Sequence, residues 1–180
     1  MHFIKTIFIT KPVIRLSFYR LVIFSLSYSI AATFVLWAIH QVNFAGPIFA
    51  PLYFLVPLIS LLFGWRAGVL VGFFLPVFSY YLSGMPVLSN LPIVLSQSVA
   101  YGFFSGYAVE KLKFNVWVAL LASLIVARFI GSLVLFTLKD IDILMSFLQS
   151  FMVGWPGIAL QAVFIIPLVN LASKWINSEN

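Results

Sequence analysis

The chain contains no cysteine, so a disulfide framework, a thiolate metal site and a cysteine nucleophile are all excluded. Histidine is almost as scarce, since His2 lies near the N-terminus and His40 near the end of the first apolar segment. We find no Ser–His pair, no acidic dyad in an apolar segment, no metal-ligand cluster and no glycine-rich nucleotide loop. The sequence therefore predicts a protein that is not an enzyme and that holds no metal and no cofactor.

Charged residues are also rare, at 8% of the chain, whereas 63% of the residues are hydrophobic. A water-soluble domain of 180 residues has too much surface to cover with so few charges, and the apolar residues run all around each segment. This pattern is typical of helices that are solvated by lipid. Since a spanning helix needs about 20 residues, the length predicts an all-α integral membrane protein with about six transmembrane helices.

Because apolar segments follow one another along the whole chain, we predict a single transmembrane domain, residues 1–180. The first of them, Leu21–Ile39, is long for a signal peptide and lacks a small-residue cleavage pattern, which favours a first span. Residues 1–19 mix apolar and basic side chains, which indicates an amphipathic segment on an anionic membrane face; a disordered basic tail is the alternative. With ends placed to within about four residues, the predicted spans are residues 20–40, 48–65, 67–84, 91–110, 114–138 and 142–174.

The distribution of lysine and arginine predicts the orientation of these spans. With the N-terminus in the cytoplasm, the outer loops hold only Lys139 among the cations. The cytoplasmic segments then hold Lys5, Lys11, Arg15, Arg20, Arg66, Lys111, Lys113 and Lys174. An even number of spans places both termini in the cytoplasm. The net charge of +6 is thus explained by membrane topology, and no nucleic-acid partner is expected.

Arg128 is the remaining cation, and it lies inside the predicted fifth span, roughly 15 Å from its outer end. An arginine at that depth costs at least about 3 kcal/mol unless it is paired or faces water. The acidic residues all fall at span ends or in tails; they are Glu110, Asp140, Asp142 and Glu179. One interpretation is that Arg128 faces a polar cavity and binds an anionic or carbonyl-rich ligand. The alternative is that it hydrogen-bonds Gln97 and main-chain carbonyls and only braces the bundle.

Four polar residues and one tryptophan are candidates to line the same cavity. Gln97 and Tyr101 lie one turn apart on the fourth span and so share a face, with Asn90 at its outer end. Gln149 lies near the start of the sixth span, and Trp155 lies in mid-span beside a Pro-Gly pair, where it would stack on a flat ligand. Each has a structural alternative, because membrane amides often bridge helices and a tryptophan often simply fills space. The depth that the amides share with the intramembrane arginine favours a binding site.

Small residues repeat at intervals of four and predict faces on which helices approach closely. The rows are Gly64–Gly68–Gly72, Gly102–Gly106 and, on the first span, Ser25–Ser29–Thr33 with Ser27 and Ala31 beside them. We interpret these rows as seams within the bundle. For the first span, docking of a second membrane protein is the alternative.

Three motifs give the chain a resemblance to the substrate-binding S components of energy-coupling factor (ECF) vitamin transporters. The strongest is Gly-Trp-Pro-Gly-Ile-Ala-Leu-Gln at residues 154–161 in the last span, followed by Ile-Pro-Leu-Val at residues 166–169. The second is Pro92–Gly106, with Ala-Tyr-Gly at its centre, and the third is the pair Ala127–Arg128. Length, span number and topology extend the resemblance over essentially the whole chain.

The resemblance implies an S-component-like bundle that captures a vitamin or cofactor precursor with high affinity from outside the cell. An acidic ligand would suit Arg128. The resemblance also implies a multi-pass protein in the plasma membrane of a prokaryote. Its partners would be the nutrient, the lipid bilayer, a transmembrane coupling subunit and two ATPase subunits, which would supply all the ATP hydrolysis.

Two departures from the family pattern bear on these expectations. Similar S components often carry Glu at the position of Gln97, so a Glu–Arg pair is replaced by Gln97 and Arg128, which changes the expected ligand class. The Ala-x-x-x-Ala docking pattern of the first span survives only as Ser27-x-x-x-Ala31. The rival interpretation is a non-transport membrane scaffold resembling the cell-shape protein MreD, which would use the same glycine rows and need no cavity.

Overall fold

The computed structural model of the chain describes residues 14–41 and 52–178. These residues form six α-helices and no strand, which confirms the all-helical prediction. The helices are α1 (Phe18–Gln41), α2 (Leu52–Phe63), α3 (Trp65–Ser83), α4 (Leu91–Glu110), α5 (Val116–Lys139) and α6 (Ile143–Ser178). Each helix falls on one of the predicted segments. Most of the predicted amphipathic N-terminal segment and the start of the predicted second span lie outside the described residues.

Four of the helices are long and apolar enough to cross a membrane; the stretches are Phe18–Ala38, Trp65–Ser83, Val116–Lys139 and Ile143–Val169. Their outward faces carry large apolar side chains, such as Phe18 at 71% exposure and Met152 at 79%. Such faces are unfavourable in water and favourable in lipid. The structure is therefore compatible with a multi-pass membrane protein.

The other two helices differ from these four in length or in composition. α2 has 12 residues and is about 18 Å long, shorter than the hydrocarbon core of a bilayer. α4 has 20 residues but buries serines and glycines, because it lies between α3 and α5 and also contacts α2. A helix enclosed by protein does not need the apolar surface of a helix that faces lipid. The composition of α4 therefore follows from its central position.

Glycines bring the backbones of α3 and α4 into direct contact. A Cβ added at Gly72 would lie 2.6 Å from the carbonyl oxygen of Ser98, and one added at Gly102 would overlap the backbone of Gly68. In the same region the hydroxyl of Ser60, on α2, donates to the carbonyl oxygen of Gly102. The predicted glycine rows are therefore seams within the bundle, where small residues permit close packing.

Gly64 separates α2 from α3, and its φ of 89° lies in the left-handed region that favours glycine. A residue with a Cβ would be strained in this conformation. The break at Gly64 lets α2 and α3 pack side by side, so both contribute to the same core with α1.

α1 carries two rows of small residues that face different sides. Ser25, Ser29 and Thr33 are buried, and Ser29 Oγ and Thr33 Oγ1 each donate to the carbonyl oxygen four residues earlier at 2.7 Å. α1 packs mainly on α3, so this row is a seam within the bundle. Ser27 and Ala31 lie on the exposed face instead. That pair remains available for contact with another molecule in the membrane.

Candidate functional site

Arg128 lies at the middle of α5, twelve residues from Val116 and eleven from Lys139, and thus about 17 Å from either end of the helix. Its neighbours in sequence are apolar, and its side chain is half-buried. If α5 crosses the membrane, the guanidinium lies near the centre of the hydrocarbon layer. Ionisable residues at that depth are rare in membrane proteins and usually have a function.

The guanidinium of Arg128 lies against α6. Nη1 donates to the main-chain carbonyl oxygen of Ser150, and Cζ lies 5.1 Å from the ring centroid of Phe151, within cation–π range. Nη2 lies next to Gly154, where a Cβ would overlap it. The absence of a side chain at Gly154 therefore makes the room that the guanidinium occupies.

Gln97 reaches the same region from α4. Its side-chain amide lies against Gly131, where an added Cβ would overlap it. Gly131 follows Arg128 by three residues and so lies on the same face of α5. The structure thus brings Gln97 and Arg128 to the same level of the bundle, within about one helical turn of each other.

Tyr101 lies one turn further along α4 and is 1% exposed. Its hydroxyl donates to Oε1 of Gln161, on α6, at 2.7 Å, and Gln161 is itself 5% exposed. A buried phenol and a buried amide both need hydrogen-bond partners in an apolar interior, and here they satisfy each other in part. Tyr101 and Gln161 form a second polar level, beside Leu120 and Leu124 and thus nearer than Arg128 to the start of α5.

Gln161 was not among the residues predicted to form the site, although it ends the Gly-Trp-Pro-Gly motif that carried the resemblance. The available signal was its amide within the otherwise apolar stretch of residues 154–169 of α6. Such an amide requires a partner, but its partner Tyr101 is 60 residues away in sequence. Only the three-dimensional structure, which brings α4 and α6 together at this hydrogen bond, identifies the pair.

A crevice between α4, α5 and α6 lies at the second polar level. It is lined by Tyr101, Trp117, Leu120, Leu121, Leu124, Ile158 and Gln161. Leu124 precedes Arg128 by one turn, so Arg128 lies about one helical turn beyond the crevice along α5. It has about 20 Å³ of room for the centre of a water molecule, which is enough for about one water.

A larger groove lies elsewhere, between α1 and α3, and has about 250 Å³ of room for the centres of water molecules. Its walls are mostly apolar and include Ile30, Phe34, Phe78 and Leu82. Such a surface is typical of a face covered by lipid chains. We therefore place the candidate site at Arg128 and its crevice.

Three of the predicted site residues lie apart from this group. Asn90 is exposed at the start of α4, where its Oδ1 accepts a hydrogen bond from Lys139 Nζ at 2.7 Å. Gln149 and Trp155 lie on the exposed side of α6, and Trp155 is 66% exposed. The structure thus brings Arg128, Gln97 and Tyr101 together and does not add the other three to them. Ligand contact by any of the six remains a prediction.

These groups suit binding rather than bond-making chemistry. A guanidinium offers parallel N–H donors to a carboxylate or phosphate, and an amide and a phenol add directed hydrogen bonds. Among the described residues, no group of three or more His, Asp or Glu side chains is placed to hold a metal ion.

Comparisons of the chain with protein-family models, with curated proteins and with solved structures gave no match. The function proposed below therefore rests on the geometry of the site and on the motif resemblance.

Proposed function

We propose that the protein is the substrate-binding membrane subunit of an ECF-type importer and captures an anionic vitamin or cofactor precursor from outside the cell. The observation that carries the proposal is Arg128, held at the middle of an apolar helix, beside Gln97 and about one helical turn from a crevice. Retaining a guanidinium there costs stability, which is expected where binding requires the charge.

The groups that Arg128 contacts on α6 are ones that a ligand can replace. A main-chain carbonyl and an aromatic ring are weaker partners for a guanidinium than a carboxylate, which forms two parallel charge-assisted hydrogen bonds with it. The crevice now has room for about one water. Ligand entry therefore requires α6 to move away from α5 and to release the Ser150 carbonyl.

The most deeply buried residues in the first half of α6 are small, namely Ser146, Gly154 and Gly157. Two larger side chains, Phe151 and Ile158, also pack against the core. Opening therefore costs the contacts of these two side chains, whereas the small residues have little surface to lose. The ligand would bind between this face of α6 and the face of α5 that carries Arg128.

The proposal requires six spans with both termini in the cytoplasm. In that orientation Arg66 and Lys111, at the start of α3 and the end of α4, lie on the cytoplasmic side, and Lys139 lies on the outer side. This arrangement follows the positive-inside rule. Arg128 is then equally distant from the two surfaces, and the outer ends of α5 and α6 lead to it.

We further propose that α1 docks on the transmembrane coupling subunit through the exposed face that carries Ser27 and Ala31. Small residues on an exposed face allow a second helix to approach closely. Two ATPase subunits would then drive the transport cycle, since this chain offers no nucleotide-binding loop.

Ala31→Trp is expected to reduce recovery of the coupling subunit and the ATPases by at least about tenfold, since a bulky ring prevents the close approach of helices. The measurement is co-purification from membranes of the source cell, quantified by mass spectrometry. Ala159→Trp, on the exposed side of α6, is the matched control and should leave recovery unchanged. Equal recovery with both variants would place the docking surface elsewhere.

The experiment that tests the proposed function is mass spectrometry of small molecules released from the purified protein. A vitamin or cofactor precursor that carries an acidic group should appear in stoichiometric amount. A screen of vitamins and precursors for thermal stabilisation provides the same test when the ligand is lost during purification. A protein that releases nothing and is stabilised by none of these compounds is not a nutrient-binding subunit.

A membrane scaffold resembling MreD is the second candidate, and one observation favours it. Arg128 already binds the Ser150 carbonyl and Phe151, as a residue that braces α5 against α6 would. A scaffold would respond to no nutrient and would instead co-purify with other envelope proteins. The two candidates also differ in how removal of Arg128 changes the stability of the ligand-free protein.

A further inference from the structure

The side-chain amide of Gln161 has hydrogen-bonding capacity that the protein does not use. Its Oε1 accepts the hydroxyl proton of Tyr101. Its Nε2 carries two N–H donors, and none of the described residues accepts from them. Gln161 is 5% exposed and lines the crevice, so the small accessible part of its side chain lies at the crevice. An unused buried donor costs free energy, which a ligand acceptor would recover.

Gln161 lines the crevice together with Leu124, and Arg128 lies one helical turn beyond Leu124 on α5. Gly154, which adjoins the guanidinium, and Gln161 are seven residues apart on α6, which is about 10 Å along the same side of the helix. On α5, Leu120 and Leu124 continue the face of Arg128 toward the inner end.

The remaining walls of the crevice are apolar and include one flat aromatic side chain. Leu120, Leu124 and Ile158 supply aliphatic surface, and Trp117 supplies an indole ring. Such walls favour an apolar or aromatic body and offer nothing to a sugar or a polyamine. The crevice therefore selects a ligand by the flat, apolar shape of its body and by the polar groups at its two ends.

We infer that the ligand carries a hydrogen-bond acceptor, a carbonyl oxygen or a ring nitrogen, about 10 Å from its anionic group, with a flat apolar body between them. This inference rests on the proposed function, because it assigns the anionic group to Arg128. Gln161 Nε2 donates to the acceptor, and Tyr101 holds the amide in the orientation that makes this possible. Gln161 is thus a specificity-determining residue.

The test uses two probes that differ only at the far end. Phenylbutanoate carries a carboxylate, a short chain and a plain phenyl ring, and its para-carbamoyl derivative adds a carbonyl acceptor to that ring. Binding of both to the purified full-length protein is measured by titration calorimetry and by thermal shift. The carbamoyl probe is expected to bind roughly three- to tenfold tighter, which is the effect of one hydrogen bond to a buried donor.

Gln161→Met should abolish the difference between the probes, because methionine has a similar volume and no donor. Val163→Met, on the exposed side of the same helix, is the control for a new methionine on α6 and should preserve the difference. Tyr101→Phe provides an independent variant. It should reduce the difference by freeing the amide to rotate.

The outcomes separate this inference from the proposed function. The two probes could bind with equal affinity, and Arg128→Gln could abolish the binding of both. That result would overturn the role of Gln161 and leave the proposed function in place. A difference that survives Gln161→Met would also overturn that role. If neither probe binds in an Arg128-dependent manner, the proposed function fails and the inference fails with it.

Discussion

Replacing Arg128 with methionine is expected to abolish stabilisation of the purified protein by its nutrient. A ligand present at 100 times its Kd stabilises a protein by about 2.7 kcal/mol. Removing one partner of a buried charged pair costs about 2–5 kcal/mol, so the stabilisation should fall below about 1 kcal/mol. The measurement is the ligand-dependent shift in the apparent melting temperature in detergent, for the wild type and for the variant.

The same variant without ligand distinguishes a binding residue from a bracing residue by the sign of the change. If Arg128 is retained for its ligand, methionine removes a desolvated charge and the ligand-free protein becomes equally stable or more stable. If Arg128 braces α5 against α6 through the Ser150 carbonyl, the same change removes that bond and lowers the melting temperature. Methionine is the appropriate replacement, because it preserves most of the apolar volume.

Arg66→Met is the matched control for the loss of one positive charge. Arg66 lies exposed at the start of α3, with its guanidinium 5.4 Å from the Trp65 ring centroid and outside the candidate site. The Arg66→Met variant should show the same ligand-dependent shift in melting temperature as the wild type. An Arg128→Met variant that retained the full shift would remove the basis of the proposed function.

The sequence was sufficient to locate the helices because their ends carry local signals. Pro92 lies in the first turn of α4, and Asn115 caps α5 by accepting a hydrogen bond from the Trp117 amide at 2.9 Å. Arg128 was also identifiable, since a cation in an apolar run stands out whatever the tertiary structure. These are properties of single segments, and reading them requires no knowledge of the neighbouring helices.

The side of each helix that faces inward was much harder to predict. Trp155 was chosen for its neighbours Pro156 and Gly157, yet adjacent residues in a helix point about 100° apart. In a soluble helix, apolar residues mark the buried side, whereas in lipid they mark the outer side as well. Gln149 and Trp155 therefore lie on the exposed side of α6, while Gln161, with no local signal for its orientation, lies inside.

Among the substitutions considered, the largest loss of stability is expected from one in the glycine seam between α3 and α4. Gly102→Ala adds a single methyl group, and that group would overlap the carbonyl of Gly68 on the facing helix. Since a backbone group cannot rotate away as a side chain can, the helices must separate, at a cost of about 3 kcal/mol, the upper end for overpacking. The expected fall in the apparent melting temperature is about 6–12 °C, by the scaling for a chain of this size.

The consequences of this substitution extend beyond α3 and α4 because α4 is the central helix. Gln97 and Tyr101 share α4 with Gly102, so displacement of α4 moves both residues relative to Arg128 and Gln161. Ligand affinity should therefore fall together with stability. Ala159→Leu, which adds three carbons on the exposed side of α6, should change neither. If Gly102→Ala were as stable as the wild type, α3 and α4 would not be in direct contact, and the placement of Gln97 beside Arg128 would lose its structural support.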